Sequence, residues 1–147
     1  MNYDRYQLEA DKKLLLFEFT SVGSKGNVKK IVQYTETNLK DYYNLGFGDL
    51  NEETGEIDDG VVTNNGDGFK VLATVASTVY AFFEKHPSAF VYVVGSNETR
   101  TRLYRMGINN NLEGIKDDFE VYGLKGDKWH AFKKNVDYQA FLIRKKH

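Results

Sequence analysis

The sequence predicts an α/β fold of the α+β kind: a mixed, mostly antiparallel sheet with two main helices. Three observations predict it. Residues 69–85 place Leu72, Val75, Ala76, Val79, Phe82 and Phe83 on one arc, with Lys70, Thr74, Ser77, Thr78 and Lys85 opposite, the period of a helix lying on a sheet. Residues 90–94 form a nearly continuous apolar run between that helix and a second helical stretch. A strand–helix–strand step of this kind needs a crossover, so part of the sheet is parallel. The N-terminal half instead breaks into short segments separated by glycine and asparagine turns, the pattern of antiparallel hairpins.

Taken in order, a short strand is expected within residues 3–10. Residues 14–19 read as a strand, apolar on both faces except at Glu18. Residues 23–27 (Gly-Ser-Lys-Gly-Asn) have turn chemistry, and residues 28–35 return with Val32 and Tyr34 on one face and Ile31 and Gln33 on the other. Residues 42–49 alternate large with small. Gly46 and Gly48 leave one face bare, which marks a bulge or the close approach of another group. Residues 51–55 turn the chain and 56–63 come back. The first helix stops at His86, because the residue before Pro87 avoids helical geometry. Residues 90–94 are expected to be a central strand covered on both faces. The second helix is expected over 98–113, with Tyr104, Ile108, Leu112 and Ile115 inward, Arg102, Arg105 and Asn109 outward, and Arg100 near the edge of the inward stripe. Residues 118–124 form a strand, 126–128 turn, and 138–143 end the chain as a strand.

A chain of 147 residues is most simply one domain, spanning 1–147. It has no cysteine, which excludes disulfides, thiolate metal sites and a cysteine nucleophile. His86, His130 and His147 are scattered with no metal-ligand spacing, so no metal is expected. The N-terminus lacks the apolar segment of a signal peptide, and no apolar run approaches the ~18 residues of a membrane span. A cytoplasmic protein without a membrane partner is expected. The net charge of −1 draws it to no polyanion as a whole. The charge is uneven, however: residues 49–59 are acidic, and the C-terminal part is basic through Lys125, Lys128, Lys133, Lys134, Arg144, Lys145 and Lys146. Trp129 reads as a core anchor.

Two chain reversals stand out as ligand sites. Asn64, Asn65, Gly66, Asp67 and Gly68 lie between a strand and the first helix. The opening amides of a helix lack intrahelical partners and attract anions, and glycine lets a ligand reach the backbone. Asp67 counts against phosphate, because its carboxylate would cap those amides. Ser96 and Asn97 stand where the central strand gives way to the second helix, at the carboxyl end of a strand, where ligands bind in open α/β sheets. Arg100 and Arg102 are placed to reach an anion there. The geometric expectation is that both reversals meet at one rim of the sheet.

The order of elements from Tyr42 onward resembles the Gcn5-related N-acyltransferases, which have a glycine-rich pyrophosphate turn, a helix, a strand, a helix and two last strands. The likeness rests on Gly66 and Gly68 at the turn, and on Asn97 seven residues before the tyrosine of Leu103-Tyr104. It implies acyl-CoA as cofactor, Tyr104 as general acid toward the departing thiolate, and a carboxylate such as Glu56 or Asp58 as base through water. The chain departs from the pattern at Thr63, Asp67, Arg100 and Gly107. Residues 64–67, 71–76, 95–96 and 100–106 also look like an uncharacterised bacterial family of single domains, a likeness that covers nearly the whole chain and implies no function. The sequence therefore leads first to a binding or interaction module on an acyltransferase-like scaffold. Its anion-accepting cleft would take an anionic small molecule or protein partner and need no cofactor. An acyl-CoA-dependent N-acyltransferase is the alternative. A nucleic-acid-directed or toxin-like protein, acting through the basic C-terminal strand and the arginine helix, is the third reading.

Overall fold

In the computed structural model, which describes residues 4–58 and 63–146, the elements run β1 (Glu9–Ala10), β2 (Leu16–Gly23), β3 (Gly26–Glu36), β4 (Tyr42–Asn51), β5 (Glu56–Ile57), α1 (Gly68–Lys85), β6 (Phe90–Val93), α2 (Glu98–Asp118), β7 (Phe119–Lys125), β8 (Lys128–Ala131) and β9 (Ala140–Lys145). The strands form one mixed sheet in the order β1-β2-β3-β4-β6-β9-β7-β8, with β5 folded back on β4. The fold class is the one the sequence predicts. Every pairing is antiparallel except β4 with β6.

The crossovers explain where the helices lie. β4 and β6 are parallel, and β6 and β7 run in the same direction because each is antiparallel to β9. Both steps move the same way across the sheet, so right-handed connections put α1 and α2 on one face. There they bury Val32, Tyr34, Leu45, Phe47, Val91, Phe141 and Ile143 of the strands under Val75, Val79, Phe82, Tyr104, Ile108 and Ile115 of the helices. Among the described residues no helix covers the opposite face, and none is long and apolar enough to cross a membrane.

Several expectations are corrected. β6 is covered on one face only: Val91 and Val93 are buried, while Phe90 and Tyr92 are half-exposed on the helix-free side. The continuous apolar run reflects an aromatic outer face, not a second layer of helices. Trp129 is not a core anchor. It lies on an extra strand, β8, at the sheet edge, 42% exposed. α2 continues through Gly114 to Asp118, because Ile115 still reaches the core and Phe119 leads straight into β7. Its buried stripe holds Arg100 and Asn111 in place of Leu112, which is half-buried. Among the described residues of the expected first strand, 4–10, only Glu9–Ala10 pairs with β2, and Tyr3 lies outside those described. Of the segment returning after the 51–55 turn, residues 59–62 lie outside those described.

The bare face of β4 is explained by close approach. Ile57 lies over it, so that a Cβ on Gly46 would come 3.0 Å from its Cδ1 and one on Gly48 2.8 Å from its Cγ2. A Gly48 Cβ would also sit 3.1 Å from Nη1 of Arg100.

Candidate ligand-binding cleft

The cleft is built around an opening in the sheet. β4 outruns its parallel neighbour: their last pair is Leu45 with Val93, after which β6 ends and the chain turns into α2. The next polar groups of β4 on that side belong to Phe47, and α2 supplies their partners. The Tyr104 hydroxyl accepts the Phe47 N–H at 2.9 Å, and Arg100 Nη1 donates to the Phe47 carbonyl at 2.8 Å. Arg100 Nη2 donates to the Asp58 carbonyl at 2.6 Å, tying in the segment after β5. Two helix side chains thus stand in for a missing strand. Burial raises the Tyr104 hydroxyl above the ordinary tyrosine range, against the opposing pull of the Phe47 N–H and the Arg100 charge.

Beside this bracket lies a cavity of about 540 Å³ between 64–68, α1 and α2. Asn64, Asn65, Gly66, Gly68, Arg100 and Arg102 all line it. Its walls are mainly apolar, from Phe47, Val71, Leu72 and Leu103, with the exposed Phe69 and Met106 at its margin. Sequence reasoning missed these wall residues because they come from three separate elements, β4, α1 and α2. It also missed the floor. Lys30, 1% exposed, is ion-paired with Asp49 and donates to the Thr63 carbonyl at 2.9 Å. Thr63 returns its N–H (3.0 Å) and hydroxyl (2.5 Å) to the same carboxylate. Burial pushes the Asp49 carboxyl up, but Lys30 and Thr63 together outweigh it and hold it below the usual carboxylate range. A signal existed: strand alternation puts Lys30 on the inward face with Val32 and Tyr34.

The 64–68 reversal is held by its own side chains. Gly66 adopts φ +80°, open to glycine, and its N–H is taken by Asn64 Oδ1 at 3.1 Å. Asn65 is buried and staples the reversal to the β2–β3 hairpin. Its amide donates to the Gly26 carbonyl (2.8 Å), and its Oδ1 accepts the Lys25 N–H (2.6 Å). Asp67 does not cap α1 with its side chain. Its carboxylate accepts the hydroxyls of Tyr6 (2.5 Å) and Ser21 (2.6 Å) instead. Burial opposes the charge, yet those two hydroxyls pull the Asp67 carboxyl below its ordinary range. The opening amides of α1 are therefore not spoken for by this carboxylate, contrary to expectation.

The second reversal divides. Asn97 caps α2, accepting the Arg100 N–H at 2.9 Å. It lines another cavity, of about 410 Å³, with Gly95, Thr101, Arg105 and Asp137, where Arg105 and Asp137 are ion-paired. Arg102 borders both cavities. Ser96 is exposed and lines neither, nor do Tyr104, Glu56 and Asp58. The shared rim thus joins 64–68 to α2 from Thr99 to Asn110, not to Ser96.

Compared with known proteins, residues 2–146 match the model of a family of unknown function, DUF6934, and the chain belongs to that family. No curated protein and no solved structure matches the chain.

Proposed function

We propose that the protein is a binding module on an acyltransferase-like scaffold, working in a bacterial cytoplasm, whose cleft takes a small ligand with an apolar body and an anionic end. The observation that carries this reading is the meeting of the 64–68 turn, Arg100 and Arg102 around one apolar-walled cavity of about 540 Å³. That size suits a small molecule. The cationic side chains and the positive end of the α1 dipole favour a negative group. The one carboxylate in the turn, Asp67, is turned toward Tyr6 and Ser21.

The acyl-CoA-dependent reading keeps Asn97 as the residue opening α2 and a Tyr104 hydroxyl that holds its proton. Three features weigh against it. Tyr104 lines neither cavity, its hydroxyl is engaged by Phe47, and the Gly66 amide a pyrophosphate would use is bonded to Asn64.

The test titrates the folded protein with an anilinonaphthalene sulfonate dye, an aromatic body bearing a fixed anion, and separately with acetyl-CoA. Saturable dye binding is expected, weakened about tenfold by Arg102→Glu, equivalent to ~1.4 kcal/mol, and weakened also by Leu103→Asp. Dye binding indifferent to both substitutions would overturn the reading. Tight acetyl-CoA binding with acyl transfer lost in Tyr104→Phe would replace it with the enzyme.

A further inference from the structure

Residues 4–8, ahead of β1, form neither helix nor strand, yet Tyr6 is fixed there from three sides. Its N–H donates to Thr74 Oγ1 of α1 at 2.8 Å. Its ring stacks on Phe19 of β2, with centres 5.7 Å apart, and Lys70 Nζ lies 4.2 Å from the ring centre. Its hydroxyl accepts the Val22 N–H at 3.0 Å and donates to Oδ2 of Asp67, 61 residues away in sequence. The buried Ser21 hydroxyl donates to the same carboxylate oxygen and accepts from the Asn65 amide at 3.2 Å.

Asp67 occupies the position before α1, where an aspartate ordinarily turns its carboxylate onto the opening amides of the helix. Here it does not. Its backbone, at φ −118° and ψ 31°, lies outside the extended conformation usual for a capping residue, and its side chain makes no cap. Asp67 lines the cavity of about 540 Å³ together with Arg100 and Arg102, whereas Tyr6 and Ser21 do not. The two hydroxyls therefore draw the carboxylate away from the ligand space. Without them the side chain is free to take its other staggered positions. A carboxylate capping α1 would occupy the positive end of the helix dipole and repel an anion from it.

We propose that the hold of Tyr6 and Ser21 on Asp67 makes the cleft selective for anions, by keeping this carboxylate off the start of α1. Tyr6 is then a positioning residue of the cleft, and the segment ahead of β1 is part of the binding site although it touches no ligand. This inference rests on the reading of the cleft given above and adds what sets its charge preference.

The full chain is titrated with the anilinonaphthalene sulfonate dye and with N-phenylnaphthylamine, which has the same rings and no charge. Tyr6→Phe combined with Ser21→Ala releases the carboxylate. It is expected to weaken sulfonate binding about two- to fivefold, the effect of one charge at a helix start, and to leave the uncharged dye unaffected. Adding Asp67→Asn is expected to restore sulfonate binding, and Asp67→Asn by itself to keep it at or above the level of the unaltered chain. Hydroxyls that merely brace the turn give a different pattern: both dyes weaken, and Asp67→Asn restores neither. That pattern overturns the proposal, as does sulfonate affinity unchanged by the paired substitutions. Where the paired variant does not fold, Tyr6→Phe is compared with and without Asp67→Asn, and a sulfonate loss that persists with Asp67→Asn overturns the proposal. The two readings fail in distinguishable ways. Sulfonate binding indifferent to Arg102→Glu and Leu103→Asp removes the cleft and this inference with it. Binding that responds to Arg102→Glu but not to release of Asp67 removes this inference alone.

Discussion

The Lys30–Asp49 pair shows how much one residue can decide. A buried ion pair is weak evidence of net stability, but breaking it strands a charge. Asp49→Asn is expected to cost about 3–5 kcal/mol in urea denaturation, with part recovered by adding Lys30→Met. Asp49 and Asp67 both have carboxyls depressed in the folded state. As pH falls, the unfolded chain takes up their protons first, so it binds more protons than the fold and stability rises with pH through this window. Their contribution is complete above the ordinary carboxylate range, near pH 4, and is lost as pH drops through the lower folded values. Asp67→Asn is expected to shorten this acid-side loss, measured as denaturation midpoint against pH.

At the scale of elements, the opening between β4 and β6 depends on α2 side chains. Tyr104→Phe leaves the Phe47 N–H buried without its acceptor and is expected to cost about 1–3 kcal/mol. Should the hydroxyl act only as this bracket, the cleft's affinity for dye falls little while stability drops, a split that denaturation and titration read separately. The glycine face of β4 was legible as a place of close approach, because a strand with two bare positions on one face asks to be filled. That Ile57 and Arg100 fill it was not, since neither is near in sequence. Likewise the second helix announced itself by its stripe, but the burial of Asn111 did not. Its amide donates to the Gly107 carbonyl at 2.8 Å, while its Oδ1 has no partner among the described residues.

For the molecule as a whole, the two helices on one face leave a two-layer body with a cleft on the helical side and an aromatic strip on the other. A ligand bound only by the folded cleft must raise the melting temperature. At a hundred times its Kd the gain is ~2.7 kcal/mol, or roughly 5–10 °C for a chain of this size. Calorimetry with the sulfonate dye checks this, and Arg102→Glu is expected to reduce the shift at equal dye concentration.

Local order was in the sequence. The period of residues 69–85, the turn chemistry at 23–27 and 64–68, and the proline after His86 each act over a few residues, so they needed no partner to be read. The meeting of Gly66 with Arg100 and Arg102 also followed, in outline, from the carboxyl-end logic of crossovers. Only the tertiary structure decided that Arg100 braces β4, that Asp67 faces Tyr6 and Ser21 rather than its own helix, and that Trp129 stays at an edge. Each depends on strand register and on which face the crossovers cover, quantities set by contacts between segments dozens of residues apart.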